Sequence, residues 1–206
     1  MNRNKISLIT FFILYFVVIQ FIIYLSKATY HWKIIFLEIV SILLLMITYT
    51  FYCVLYYKKI LKSYNNGEYD KVIKMSKKFL KVFPKRGLGE YTIMMLSVAY
   101  FSNNNKVLFE KNISKITNKK IIAAKYYWLT IALIIEDKWE EAKNQFAFFI
   151  DIKYSEHYNL YYDILKTLFN IHDNLIINKQ EEIDRLLLLV KNKKVISYLK
   201  KDSVLK

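Results

Sequence analysis

The fold is decided by residues 126–149, YYWLTIALIIEDKWEEAKNQFAFF, in which two apolar segments flank a short polar run. In the second segment the large or apolar residues recur at steps of three or four: Trp139, Ala142, Phe146 and Phe149. This spacing places side chains on one face of an α-helix. No stretch of the chain has the sustained alternation of a half-buried strand. The sequence therefore predicts an all-α protein whose helices are joined by tight turns.

Polar turns recur along the chain at nearly regular intervals. They centre on Gly67, Asn104 and Asp137, which are 37 and 33 residues apart. These residue types suit tight turns because they tolerate left-handed backbone angles. A period in the mid-thirties, with a helix on each side of the turn, is typical of stacked helical hairpins. Residues 58–206 are therefore predicted to form one helical domain of about three to four helix pairs.

The second helix of the clearest unit carries Trp139, Ala142 and Phe146 in the arrangement aromatic–x–x–Ala–x–x–x–Phe. In this arrangement the unit resembles the tetratricopeptide-repeat superfamily. Two weaker units follow the same plan over about 93–116 and 67–84, the latter with a glycine at its turn and a proline at its end. The resemblance covers roughly residues 56–154 and implies an α-solenoid.

Two further parts of the predicted solenoid are assigned from their position in the chain, without a matching motif. The first helix of the first pair is expected over about 56–64, and a degenerate fourth pair over 155–191. Val72 and Phe109 stand where the family prefers alanine, which predicts a changed packing angle. Arrays of this family bind peptides or partner domains in a concave groove formed by the first helices. The groove residues that the resemblance implies are Tyr91, Met94, Phe101, Tyr127, Ile131, Tyr158 and Tyr161.

Two long apolar runs precede the helical domain. The first covers about 6–25 without a charged residue, and the second covers 34–57 with Glu38 as its only charge. A helix of about 20 residues spans roughly 30 Å, the thickness of the hydrocarbon core of a bilayer. Because a short link joins the runs, residues 1–57 are predicted to form an antiparallel transmembrane hairpin. Glu38 lies near one end of its run and is interpreted as an interfacial residue, with a transport role as the alternative.

Basic residues at the ends of the runs predict the orientation. Two lie in the link, whereas five flank the hairpin on its other side: Arg3, Lys5, Lys58, Lys59 and Lys62. By the positive-inside rule both termini lie in the cytoplasm, and the protein is a two-span protein of the cell membrane. A cleaved signal peptide is the alternative, although the first run is longer than the usual apolar region of such peptides.

Patterns that carry catalysis or bind metals are missing from the sequence. Three glycines leave almost no material for a phosphate-binding loop. The single Cys53 excludes an internal disulfide and a cysteine-based zinc site, and the three histidines are too far apart for a local metal motif. The adjacent acids Glu140 and Glu141 point about 100° apart on a helix and do not converge. We therefore expect no enzymatic activity, no cofactor and no metal.

A net charge of +15 points to anionic partners. The basic face expected to lie against anionic lipid consists of Lys58, Lys59, Lys62, Lys74, Lys78 and Lys81. The alternative is a solvated surface that reflects AT-rich codon usage. No nucleic-acid-binding motif is present, so nucleic acid is not an expected partner.

Two classes of function fit this organisation. The first is a membrane-anchored adaptor or scaffold that binds a protein or peptide of unknown identity in the helical groove. The second is immunity, in which a small basic membrane protein of a low-GC bacterium protects its producer from a toxin or bacteriocin. A transporter or channel is disfavoured because two spans with one marginal carboxylate do not form a pore.

Overall fold

The protein is described here by a computed structural model that covers residues 15–18, 20, 24, 31–83, 87–152 and 158–201. Within these ranges the chain is helical and contains no strand, which confirms the all-α prediction. The first predicted apolar run, 6–25, lies mostly outside them. The described helices are α1 (His31–Asn65), α2 (Tyr69–Val82), α3 (Leu88–Ser102), α4 (Lys106–Ile113), α5 (Ile122–Ile135), α6 (Trp139–Asp151), α7 (Asn159–His172), α8 (Lys179–Leu189) and α9 (Lys193–Leu199).

The chain divides into two compact units, Met1–Lys58 and Lys59–Lys206, and α1 runs without interruption through the boundary. Among the described residues one helix, Ile35–Asn65, is long and apolar enough to cross a membrane, with a mean hydropathy of 2.1 in its most apolar window. In the first unit, Gln20 Nε2 donates a hydrogen bond to Glu38 Oε1 at 3.4 Å. This bond brings one residue of the first apolar run against α1.

Four turns in the second unit share one backbone geometry. Their left-handed residues are Gly67, Asn104, Asp137 and Asn174, with φ of 69°, 58°, 62° and 58°. In each turn the amide of this residue donates to the carbonyl three positions back, and the next amide donates to the carbonyl five positions back. This pair of bonds is the Schellman motif, which satisfies carbonyls at the end of a helix. The three predicted turns are confirmed, and the structure adds a fourth at Asn174.

The second unit buries equivalent positions on both sides of these turns. Helix α2 packs on α3, α3 on α4, and α5 on α6. The residues seven positions before each left-handed residue are all buried: Ile60, Ser97, Thr130 and Thr167. The residues twelve positions after it are also buried: Phe79, Ile116, Phe149 and Leu186. One core pattern is thus built four times from different side chains, and Ala142 is fully buried in it, as the helical stripe of α6 requires.

Helix α9 departs from this pairing. It packs on α3 and α5, each of which precedes one of the Schellman turns, and on α8. Its side chains Val195 and Leu199 are 1% and 2% exposed. The predicted fourth pair ended at residue 191, so α9 is an element that the sequence analysis left unassigned.

Candidate functional site

The seven predicted groove residues fall into two groups. The half-buried group contains Tyr91, Tyr158 and Tyr161. The other group lies in the hydrophobic core with exposed fractions of 8, 3, 3 and 1%: Met94, Phe101, Tyr127 and Ile131. The prediction that all seven side chains form the surface of one groove is therefore wrong, because four of them are buried in the core.

Tyr127 shows the physical reason for this correction. Its ring stacks on that of Tyr161 with centroids 4.1 Å apart, and it makes an edge-to-face contact with Trp128 at 5.2 Å between ring centroids. Burial raises the pKa of the Tyr127 hydroxyl, and the nearby Tyr161 hydroxyl adds to the increase. Aromatic stacking and burial make Tyr127 part of the packing between α5 and α7. Its contribution to the surface is limited to the edge of a cavity.

One cavity beside α5 in the second unit has a volume of about 400 Å³, and we call it the larger cavity because a second cavity on α5 has a volume of about 230 Å³. Helices α3, α4 and α5 supply apolar side chains to its wall: Phe101, Phe109, Ile113, Leu129, Ala132, Leu133 and Ile135. Gln145 also lines it, and Gln145 Oε1 is a buried acceptor without a hydrogen-bond partner in the described part of the chain. Ligand cavities of this size combine apolar walls with a few polar groups, as this one does.

Charged side chains surround the mouth of the larger cavity. Lys106 Nζ lies 2.6 Å from Glu136 Oε2 and 3.8 Å from Glu110 Oε1. The hydrogen bond that Lys106 donates to Glu136 raises the pKa of Lys106 above its usual range. Lys138 joins the same network 3.7 Å from Glu136. Because these pairs are solvent-exposed, they contribute little to stability and are available for selecting a partner by charge.

The second cavity has a volume of about 230 Å³ and is rich in tyrosine. It is lined by Tyr64 at the end of α1, Tyr69 at the start of α2, and Tyr127 and Tyr161 on α5 and α7. Residues Leu189 to Asn192, which connect α8 to α9, close one side of it. We refer to this space as the tyrosine cavity.

Asn192 holds α9 against the rest of the second unit. Its Oδ1 accepts hydrogen bonds from the amides of Lys194 and Val195, which caps the first turn of α9. Its Nδ2 donates to Ser102 Oγ at 2.7 Å and to Tyr69 Oη at 3.3 Å. All four hydrogen-bonding positions of this amide are used, and the residue is 6% exposed.

Lys194 is the charged residue of α9 nearest to the core. Its Nζ lies 4.4 Å from the ring centroid of Phe101, a cation–π distance. Partial burial lowers its pKa below the usual range, with Lys106 acting in the same direction and Glu136 opposing it. Lys194 also lines the larger cavity. The described structure gives it no carboxylate within ion-pair distance.

The six lysines of the predicted basic face are all exposed: Lys58, Lys59, Lys62, Lys74, Lys78 and Lys81. None has a carboxylate within ion-pair distance in the described ranges. On α2 the exposed lysines lie opposite the buried side chains Val72, Ser76 and Phe79. The amphipathic pattern of α2 therefore leaves its basic side available to solvent or lipid.

Among the residues that the structure describes, no group of three or more His, Cys, Asp or Glu side chains could hold a metal ion. No protein-family model, no curated protein and no solved structure matches this chain. The assignment of function therefore rests on the fold and the cavities.

Sequence reasoning missed the residues that border the cavities. Leu129 and Leu133 line the larger cavity, and neither is among the predicted groove residues. Asn192 and Lys194 were not singled out at all. A signal for them was present, since Asn192 is followed at +3 and +7 by Val195 and Leu199, the pattern of a short capped helix.

Proposed function

We propose that this protein is a membrane-anchored interaction module. In this proposal α1 belongs to a two-span anchor with both termini in the cytoplasm, and the helix pairs form a tetratricopeptide-like array that binds a protein or peptide. The observation that carries the proposal is the pair of cavities that flank α5, one apolar with a charged mouth and one lined by tyrosines.

The chemistry of the larger cavity favours a peptide side chain as its occupant. An apolar wall formed by α3, α4 and α5 suits a buried aromatic side chain, and a few such buried anchors supply most of the binding energy in protein interfaces. The charged mouth suits polar contacts around such a group and selects among partners. The unpartnered Gln145 Oε1 accepts a hydrogen bond from a donor on the incoming chain.

A charge exchange at the mouth tests this function without altering the core. The double variant Lys106→Glu with Glu136→Lys keeps an ion pair at the same place but reverses its direction. The matched control exchanges the pair on α8, Arg185→Glu with Glu182→Arg, whose charged groups are 2.7 Å apart.

Each full-length variant is purified from membranes in mild detergent, and the captured proteins are identified by mass spectrometry. We expect a protein enriched by the native chain and by the α8 control to be lost from the mouth variant. Equal capture by all three would contradict a partner site at the larger cavity.

We also propose that the basic face associates with anionic lipid. Each lysine near such a surface contributes about 1 kcal/mol, so three substitutions have a measurable effect. We expect α2 amides of the full chain to exchange more slowly in nanodiscs with phosphatidylglycerol than in purely zwitterionic ones. Lys74→Gln, Lys78→Gln and Lys81→Gln together should remove this difference. The control triple Lys111→Gln, Lys119→Gln and Lys120→Gln, on exposed sites elsewhere, should preserve it.

A further inference from the structure

The surface beside both cavities already carries a segment of the same chain. Helix α9 rests on α3 and α5, and its contacts include the side chains of Tyr69, Phe101 and Ser102, which we call the α9 dock. We propose that α9 is an internal ligand of this dock, and that the partner is a helical peptide with the same chemistry which displaces it. This inference rests on the proposed interaction function and names the class of its partner.

The position of α9 relative to the cavities supports the proposal. Lys194 lines the larger cavity, and Val190, Lys191 and Asn192 line the tyrosine cavity. Phe101 in the wall of the first cavity and Trp128 in the wall of the second are only 5.8 Å apart between ring centroids. Lys194 covers the ring of Phe101. Displacement of the segment 190–194 therefore uncovers a surface that joins the two cavities.

The length and the contacts of α9 suit a segment that binds reversibly. The helix has seven residues, too short to be stable in isolation. Its attachment combines the buried Val195 and Leu199 and the half-buried Ile196 and Tyr198 with the hydrogen bonds of Asn192. Partial burial of Lys194 removes water from the charged amine, and the contact with the ring of Phe101 offsets this cost. A short apolar contact with a polar anchor and a partly desolvated charge is suited to reversible exchange.

The sequence of α9 predicts the sequence pattern of the partner peptide. Asn192 caps the helix, Lys194 follows at +2, and the buried side chains are at +3 and +7. The matching peptide has Asn, Asp or Ser at the cap, a basic residue two positions later, and apolar residues at +3 and +7. A basic residue of the partner peptide can take the place of Lys194 in the dock. Lys194 itself lies over the ring of Phe101 with Glu136 nearby, so no further acidic residue is needed to accept it.

The test uses the full chain in zwitterionic nanodiscs and a fluorescent peptide of residues 190–201, VKNKKVISYLKK. The control peptide carries Val195→Ser and Leu199→Ser, which preserves its charge, and empty nanodiscs report binding to lipid. We expect a chain that ends at Leu189 to bind the native peptide at least tenfold more tightly than the complete chain does. We expect the serine peptide to bind neither. If the folded α9-free chain binds both peptides equally, or neither, the proposal is overturned.

Hydrogen exchange on the complete chain keeps the proposal testable if the shortened chain does not fold. We expect α9 amides to exchange at least tenfold faster than α5 amides, and faster still with saturating native peptide. If α9 and α5 exchange only together, by global unfolding, α9 is a permanent part of the core. The proposed function fails separately: the mouth variant would then capture the same proteins as the native chain while the peptide still bound the α9-free chain.

Discussion

Replacement of Asn192 by alanine measures how strongly α9 is held. The substitution removes the cap of α9 together with the bonds to Ser102 and Tyr69. Loss of an N-cap costs about 1 kcal/mol. Each side-chain hydrogen bond adds about 0.5–1.5 kcal/mol, with the 3.3 Å bond to the half-buried Tyr69 at the lower end. The total is about 2–3 kcal/mol, which raises the opening constant of α9 about 30- to 150-fold at 1.4 kcal/mol for each factor of ten.

Two companion variants separate the cap from the anchor. Asn178 caps α8 in the same way, accepting from the amide of Glu181, but it is exposed and its side-chain bonds within the described ranges are to Glu181 alone. Asn178→Ala should therefore cost only about 0.5–1 kcal/mol, confined to α8. Asn192→Asp keeps both acceptor bonds and loses both donor bonds, so its effect should lie between that of the native residue and that of alanine.

The assay is hydrogen exchange of the full chain in detergent at pH 7, followed by mass spectrometry of peptides from α8 and α9. The expected order of α9 exchange rates is Asn192→Ala, then Asn192→Asp, then the native chain. The reasoning is refuted if Asn192→Ala accelerates α9 no more than Asn178→Ala accelerates α8. In that case the bonds to Ser102 and Tyr69 do not anchor α9, and only the local cap matters.

Three further predictions concern packing, pH and topology. Ala142→Trp should overpack the core and lower the melting temperature of the full chain in detergent, at a cost of about 1–3 kcal/mol or more. Ala147→Trp, on the exposed side of α6, should change the melting temperature little. Equal effects of the two variants would contradict the packing of α5 on α6. Burial raises the pKa of Tyr198 to about 12, so its contribution to stability is complete below pH 10 and is lost as the pH rises toward 12, and Tyr198→Phe should flatten that part of a melting-temperature profile. A cysteine at Thr29, which lies outside the described residues, should react with a membrane-impermeant maleimide in intact cells, whereas a cysteine at Ser197 should react only after permeabilisation; the reverse pattern would invert the predicted orientation.

Local chemistry explains which parts of the fold were predictable. Gly67, Asn104 and Asp137 mark turns because few residues adopt positive φ, so the signal lies in the turn itself. The burial of Ala142 followed from the three- and four-residue spacing along a single helix. The turn at Asn174 had the same signal but stands in a segment whose helix pattern is weaker.

The site could not be predicted in the same way. Helix α3 is buried nearly all round, from Thr92 to Phe101, because other helices cover more than one of its sides. Periodicity then identifies a helix but does not say which apolar residue borders a cavity, and Met94 on α3 was assigned to the groove for this reason. The contact of Asn192 with Tyr69 joins residues 123 positions apart. No pattern within a single segment encodes such a contact.

Because Tyr69 and Asn192 are so far apart along the chain, the dock is synthesised well before the helix that covers it. Tyr69 leaves the ribosome long before Asn192 is added to the chain, and domains begin to fold from their N-terminal side as they emerge. Helices α3 and α5 thus exist for a time with Phe101 and Ser102 uncovered. A nascent chain in this interval is open to any matching helix in its vicinity, including one from a neighbouring nascent copy. Slow translation of residues 190–199 would lengthen the interval and favour exchange of α9 between copies.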